Sequence, residues 1–324
     1  MSERIGVLVM AYGTANGPDD VERYYTDIRG GRAPSPEHLQ ELRGRYAAIG
    51  NRFPLLEITR AQAAAIEAEL NREAGESAFR SYLGMKHSAP FIDEGVARMQ
   101  ADGISRAVGL VMAPHWSGMS IETYADRARA SIAERDAGIE FTYVRNWHDR
   151  PGFVEFLGDR VRDALERLPS GADPEGALVV FSAHSLPQRA LEDGTTRCTR
   201  CDLCPEGCAY ERQLRETADL VAKEIGLESY TTGWQSAGRT ADPWLGPPVE
   251  DVIRTAAKDG HSAVVVCSAG FVADHLEVLY DLDIEAKELA EEAGLRFVRT
   301  EMPNVDERFI AVLADVVRTH LAGG

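Results

Sequence analysis

The chain sets out one secondary-structure arrangement twice, and that duplication constrains its fold more than any other feature. In the first half, apolar β-branched runs at 5–13, 79–87, 107–116 and 141–147 alternate with amphipathic, helix-like segments. The second half repeats the order at 177–185, 230–236, 263–271 and 297–303. Runs apolar on both faces read as central strands of a parallel sheet, and their alternation with helices implies βαβ crossovers. The expected fold class is therefore α/β, with two duplicated Rossmann-like domains, each a four-stranded parallel sheet flanked by helices. Local similarity supports the pairing: LVMAPHWSGMSIETY (110–124) can be laid on VVCSAGFVADHLEVL (265–279), which sets Glu122 against Glu277.

The Pro- and Gly-rich stretch PSGADPEG (169–176) reads as the linker, dividing the chain into 1–170 and 171–324 with the terminal helix free to pack across the boundary. Two regions break the duplication. Residues 17–60 lengthen the first half, and 193–210 insert a cysteine cluster into the second. Departures from a repeat are where function is often grafted onto a fold.

At 324 residues and 44% hydrophobic, the chain can bury a substantial core. A net charge of −17 argues against nucleic acid or an anionic membrane as the main partner, since both attract basic surfaces. No stretch reaches the length of a membrane span, and MSERIGVLVMAYG carries no basic leader or cleavage site. A cytoplasmic, reducing compartment is expected. An acidic ligand would then need a local arginine cluster, and the long insert has one. Its helix-like stretches 19–29 and 36–49 supply Tyr24, Tyr25, Arg29, Arg32, Arg43, Arg45 and Tyr46. Arginine grips carboxylates bidentately, and tyrosine offers a flat face with a polar tip. The plain alternative is a solvated helical lid.

In open α/β sheets, ligands sit beyond the carboxyl ends of the strands. The run ALVVFSAHSLP (177–187) breaks at His184, and SAVVVCSAGFVADHLEVLYDLDIE (262–285) breaks into Asp274, His275 and Glu277. His184 and Glu277 become candidates for one site. Glu277, Asp281 and Glu285 recur every four residues and would stack on one helical face. Like charges so spaced cost a helix roughly 0.2–0.5 kcal/mol per pair, so a tolerated acidic line suggests a cation route; the alternative is a solvated face.

Cys198, Cys201, Cys204 and Cys208 form C-x2-C-x2-C-x3-C, while Cys267 lies alone in an apolar strand as an inert core thiol. Structural zinc usually takes two separated cysteine pairs, whereas this compact run resembles an iron–sulfur ligand pattern. Spacing alone would suggest 4Fe-4S; however, Ala209 follows the last cysteine in place of proline, and no second cysteine set exists. Zinc stays an alternative, and disulfides do not suit a reducing compartment.

Several segments together resemble the ferrochelatase family almost end to end: LVMAYGT (8–14), RYAAIG (45–50), GMKH (84–87), SAHSLP (182–187), GWQS (233–236), DPWLGP (242–247) and GFVADHLEVLYD (270–281). The short chain and Tyr12 at the first strand's exit look most like the coproporphyrin type of monoderm bacteria. That resemblance implies insertion of Fe2+ into coproporphyrin III to give coprohaem, with His184 and Glu277 as iron ligands and proton acceptors. It implies Tyr12 as axial ligand on the opposite face, and Arg29, Arg45, Tyr46 and Tyr124 as porphyrin contacts. Asp281 and Glu285 would line the metal's route. Phe53 stands where the bacillary pattern carries serine. The resemblance also implies a 2Fe-2S centre on the four cysteines, a monomer, and a transient haem-pathway partner. His87, His115 and His275 are open between site and core. A protoporphyrin IX ferrochelatase, a sirohydrochlorin cobalt chelatase, a non-catalytic porphyrin- or haem-binding regulator and a cluster-based electron carrier are the rival readings.

Overall fold

The computed structural model describes residues 4–74, 78–169, 173–190, 196–198, 207–238 and 242–323. Strand β1 (Ile5–Ala11) leads into a 3₁₀ turn and helices α1 (Val21–Ile28), α2 (Pro36–Ala48) and α3 (Leu55–Ala74). Next come β2 (Phe79–Met85), α4 (Ile92–Ala101), β3 (Arg106–Val111), α5 (Ile121–Glu134), β4 (Glu140–Tyr143) and α6 (Pro151–Glu166). The second half opens with β5 (Ala177–His184), a small antiparallel pair, β6 (Gln188–Ala190) and β7 (Thr196–Cys198), and then α7 (Ala209–Ile225). It continues through β8 (Tyr230–Gln235), α8 (Val249–Lys258), β9 (Ala263–Cys267) and α9 (Leu276–Leu279). A π-helical segment (Asp281–Ala286), α10 (Lys287–Glu292), β10 (Arg296–Arg299) and α11 (Glu307–Ala322) complete it.

Both expected sheets form, each with four parallel strands, in the orders β2-β1-β3-β4 and β10-β9-β5-β8. Read from the opposite edge, the second order is β8-β5-β9-β10, so β5 occupies the place of β1 and β9 that of β3. Tyr12 directly follows β1 and His184 ends β5, so both stand at the carboxyl end of an equivalent inner strand. The short β6–β7 pair was not foreseen.

Local chemistry sets the helix ends. Ser35 caps α2 by accepting from the His38 amide at 3.3 Å, with Pro36 in the first turn, and Gly50 follows its last turn at φ 74°. Helix α7 stops at Gly226 in the left-handed region, φ 70°.

One apolar core runs through both sheets. It joins Val7 and Val9 of β1 to Val179 and Phe181 of β5, Val265 of β9, and Phe153, Leu214 and Phe309 from α6, α7 and α11. Trp147 meets Phe153 edge-on at 4.8 Å within it, and α11 packs back onto α3 of the first half. A separate cluster seats the long insert, with Val21, Tyr24, Tyr46 and Ile49 packed against Leu279 of α9. The insert thus reaches the second half beside Glu277. Among the described residues, no helix is long and apolar enough to cross a membrane.

Candidate active site

His184 and Glu277 come together, His184 Nε2 standing 3.7 Å from Glu277 Oε1. The approach depends on the absence of a methyl group. A Cβ on Gly270 would lie 2.4 Å from the Ala183 Cβ, so only glycine lets the chain leaving β9 lie across the end of β5. The Gly270 amide then bonds the Ser182 carbonyl at 2.9 Å, and the chain proceeds to Phe271, His275 and Glu277. The GWQS stretch ties the same parts together: Ser182 Oγ donates to Gln235 Oε1 at 2.9 Å, and Gln235 Nε2 donates to the Glu277 carbonyl at 3.2 Å.

His184 Nδ1 bonds the Ser185 carbonyl, which directs Nε2 at the carboxylate. The other carboxylate oxygen, Glu277 Oε2, faces His275 Nε2 at 3.5 Å, while His275 Nδ1 is held by the Ala273 carbonyl at 3.0 Å. His275 therefore braces Glu277. Burial alone would lower the His184 pKa, but the Glu277 carboxylate overrides it and raises it to about 9. Burial likewise opposes charge on Glu277, and the two imidazoles hold its carboxyl well below the usual range. The metal-free site is thus an imidazolium–carboxylate pair. Each side chain keeps 34% of its surface exposed, so an ion can reach both. Their separation is within twice the roughly 2.1 Å length of a metal–nitrogen or metal–oxygen bond.

Tyrosines surround this pair. Tyr12 is 42% exposed, its ring 4.6 Å from that of His87, whose Nδ1 bonds Asp27 at 2.7 Å. Confinement, Glu277 and Asp27 raise the Tyr12 hydroxyl well above the ordinary phenol range. Tyr124 is buried under Lys86, whose ammonium lies 5.2 Å from its ring; burial, then Tyr12 and Glu277, raise its pKa too. Tyr46 stacks on Phe53 at 4.4 Å and shares a hydrogen bond with Thr14, and burial pushes its hydroxyl up to about 12. Phe53 thus supplies a stacking surface for Tyr46.

The two expected porphyrin arginines differ. Arg29 closes α1 with its buried Nε lacking any hydrogen-bond partner and its guanidinium 5.8 Å from the Tyr25 ring. Arg45 is engaged with acids instead: it pairs with Asp281 at 3.4 Å and Glu41 at 3.4 Å and lies 5.1 Å from the Tyr280 ring.

The expected α-helical stack of Glu277, Asp281 and Glu285 requires a correction. Helix α9 is four residues long, and the chain then winds as a π-helix in which the Glu285 amide bonds the Tyr280 carbonyl five residues back. The wider turn buries Asp281, which accepts from Ser236 Oγ, and leaves Glu285 half-buried. Burial and the nearby Glu277 raise Asp281 to about 7. The three acids thus form one electrostatic line, though not by helical periodicity.

Among the described residues, no three His, Cys, Asp or Glu side chains form a ready-made metal-binding group. Cys201, Cys204 and the Cys198 side chain lie outside the described residues. Cys208 is half-buried at the start of α7, and Cys267 is buried with its thiol pushed up to about 12 by desolvation. His115 is a core residue, buried with Nε2 on Thr217 Oγ1 at 3.0 Å.

Two parallel four-stranded sheets sharing one core, with polar side chains gathered at equivalent strand ends, define a chelatase-like α/β protein. SirB from Bacillus subtilis with Fe3+ has the same fold, at TM-score 0.59 and 11% identity over 99% of this chain and 96% of that one. The sirohydrochlorin chelatase SirB from Bacillus subtilis subspecies spizizenii, in complex with cobalt, aligns at TM-score 0.55 and 10% identity, covering 97% and 94%. A ferrochelatase family model matches residues 4–321. Coproporphyrin III ferrochelatase of Anoxybacillus flavithermus is 45% identical over 323 residues, 99% of this chain and 98% of the relative. That of Bacillus subtilis is 45% identical over 316 residues, 97% of each. The chain belongs to the ferrochelatase family.

Proposed function

We propose that this enzyme inserts Fe2+ into coproporphyrin III to give coprohaem III, with His184 and Glu277 receiving the metal and the pyrrole protons. The observation carrying the reading is His184 Nε2 opposite Glu277 Oε1 at 3.7 Å, with Tyr12, Tyr46 and Tyr124 near enough for the Glu277 charge to act on their hydroxyls. Relatives named coproporphyrin III ferrochelatase, 45% identical over nearly the whole chain, support the substrate.

Metal insertion removes two pyrrole protons and replaces them with one divalent ion. An imidazole and a carboxylate are suited to both tasks, since each can ligate Fe2+ and each can accept a proton. Fe2+ displaces the proton held between His184 and Glu277 to solvent; after the ion passes into the ring, the vacated pair can accept the two protons the ring releases, keeping one as its shared proton and passing the other to solvent. Arg29, Arg45, Tyr46 and Tyr124 hold the ring and its carboxylates, and binding energy spent at that periphery bends the macrocycle so that its nitrogen lone pairs face the metal. Tyr12, exposed at the end of β1, would offer its phenol oxygen to the product iron. Asp281 and Glu285 lead the ion in, with Arg45 neutralising Asp281 until a ring carboxylate draws it away.

Cys198, Cys201, Cys204 and Cys208 hold an iron–sulfur centre; their compact spacing supports a cluster, the family resemblance favours the 2Fe-2S type, and iron and sulfide counts separate it from 4Fe-4S or zinc. The enzyme acts as a cytoplasmic monomer that passes product to a haem-pathway partner, and the net charge of −17 supports a setting away from anionic surfaces. Division at 169–176 into 1–170 and 171–324 completes the reading.

Anaerobic assays with Fe2+ and either coproporphyrin III or protoporphyrin IX test the function. Faster turnover of coproporphyrin III is expected. Preference for protoporphyrin IX would overturn the substrate, and tight porphyrin binding without insertion would make the protein a carrier or regulator.

A further inference from the structure

The chain leaving β9 toward Glu277 is anchored from the opposite half of the molecule. Gln62, on α3 of the first half, is fully buried, yet its side-chain hydrogen bonds among the described residues go to the second half. Its amide nitrogen spends both hydrogens on carbonyls of the second half, Val272 at 3.0 Å and Asn304 at 2.7 Å. The Asn304 amide also donates to the Val272 carbonyl at 3.1 Å, so Gln62 closes a ring of main-chain bonds. Asn304 sits at φ 45°, a left-handed conformation that asparagine accepts more readily than most non-glycine residues.

From that ring a second clasp reaches toward the site. Asn304 Oδ1 accepts from the Asp274 amide at 2.9 Å, and Asn304 Nδ2 donates to Asp274 Oδ2 at 2.8 Å. The clasped segment Val272–Asp274 presents the Ala273 carbonyl that holds His275 Nδ1, and His275 Nε2 faces Glu277 Oε2. We infer that Gln62 is a positioning residue for metal capture: it fixes the Val272–Asp274 segment, and through it His275 and the Glu277 carboxylate, against the first half. The inference rests on the reading of Glu277 as a metal ligand. A loop held by one amide with two donors loses both bonds when that amide goes: the Val272 carbonyl keeps only the Asn304 amide, and the Asn304 carbonyl loses the Gln62 donor. A metal site misplaced by a fraction of an ångström loses affinity even when its ligands are intact.

The test uses Co2+ in place of Fe2+ and the full chain. Gln62→Met keeps length and apolar packing but removes both donors. Asn304→Asp keeps the main-chain ring but sets a carboxylate against Asp274, breaking the outer clasp. For each variant that folds, Co2+ affinity should fall at least tenfold and the KM for Fe2+ rise in proportion. Coproporphyrin affinity should stay within twofold of the parent. The visible spectrum of bound Co2+ should also change, which a purely structural role would not produce. If Gln62→Met does not fold, Asn304→Asp decides alone. Parent-like Co2+ binding in a folded variant would overturn the inference, as would loss of porphyrin affinity with metal binding intact. Glu277→Ala serves as reference: if it binds Co2+ like the parent, the metal-ligand reading itself fails, independently of Gln62.

Discussion

The two halves place a carboxylate at corresponding positions and use it differently. Glu122 and Glu277 each lie in the first turn of the helix that follows an equivalent sheet strand, β3 and β9. Glu122 is fully subscribed: it accepts from Tyr143 at 2.8 Å and from the Trp116 indole at 3.3 Å, and pairs with Arg129 at 3.4 Å. Burial works to raise its pKa, but these donors win and hold the carboxyl low. Glu277 meets two imidazoles at 3.5 and 3.7 Å instead, donors that can give up a proton and become ligands. The strand ends differ likewise, with Tyr12 after β1 and His184 closing β5. One scaffold thus holds a carboxylate saturated by phenol, indole and guanidinium donors in the first half and one facing two imidazoles in the second, and the difference lies in the partners, since topology is shared.

The comparison breaks most readily at the proposed catalytic pair, His184 and Glu277. His184→Ala or Glu277→Ala should lower kcat by about 10³-fold while porphyrin still binds, as expected when a group that accepts protons is removed. Stopped-flow absorbance of coproporphyrin with Fe2+ checks this, and full activity in either variant would end that residue's assignment.

A smaller effect concerns pH. Because the folded His184 value of about 9 exceeds its ordinary 6.5, the pair's contribution to stability is complete below about 6.5 and is lost as pH rises through about 9. Metal binding runs the other way, since the proton must leave: Co2+ affinity should rise up to tenfold per pH unit between those values and then level off. Titration calorimetry in two buffers should find about one proton released per ion at pH 7.5, and His184→Ala should flatten the profile.

The smallest change should come from the other half. Glu122→Ala should leave turnover within about twofold and cost roughly 1–2 kcal/mol of stability, because Tyr143 and Trp116 lose a shared acceptor. Urea unfolding measures it; a hundredfold loss of turnover would show that the halves are not divided in this way.

Much of the fold was legible because parallel strands buried on both faces leave long apolar runs, and each of the eight candidate runs overlaps an observed strand. The π-helical turn was not, since Glu277, Asp281 and Glu285 fit an α period equally well and the five-residue hydrogen bond leaves no mark on spacing. The β6–β7 pair escaped because three residues per strand are too few to show alternation. At the site, His184 and Glu277 stood out as polar breaks at strand ends. The engagement of Arg45 with Asp281 joins distant segments, which no local pattern encodes. Gln62 left one trace: with Thr59, Ala63 and Ile66 it falls on the buried face of α3, where an amide needs partners from elsewhere.

The shared interior has a mechanical consequence. Close-packed side chains linking β1, β5, α6 and α11 leave the two lobes no hinge at their base. A stiff vice of this kind deforms its guest rather than itself, so the strain of metallation falls on the pigment.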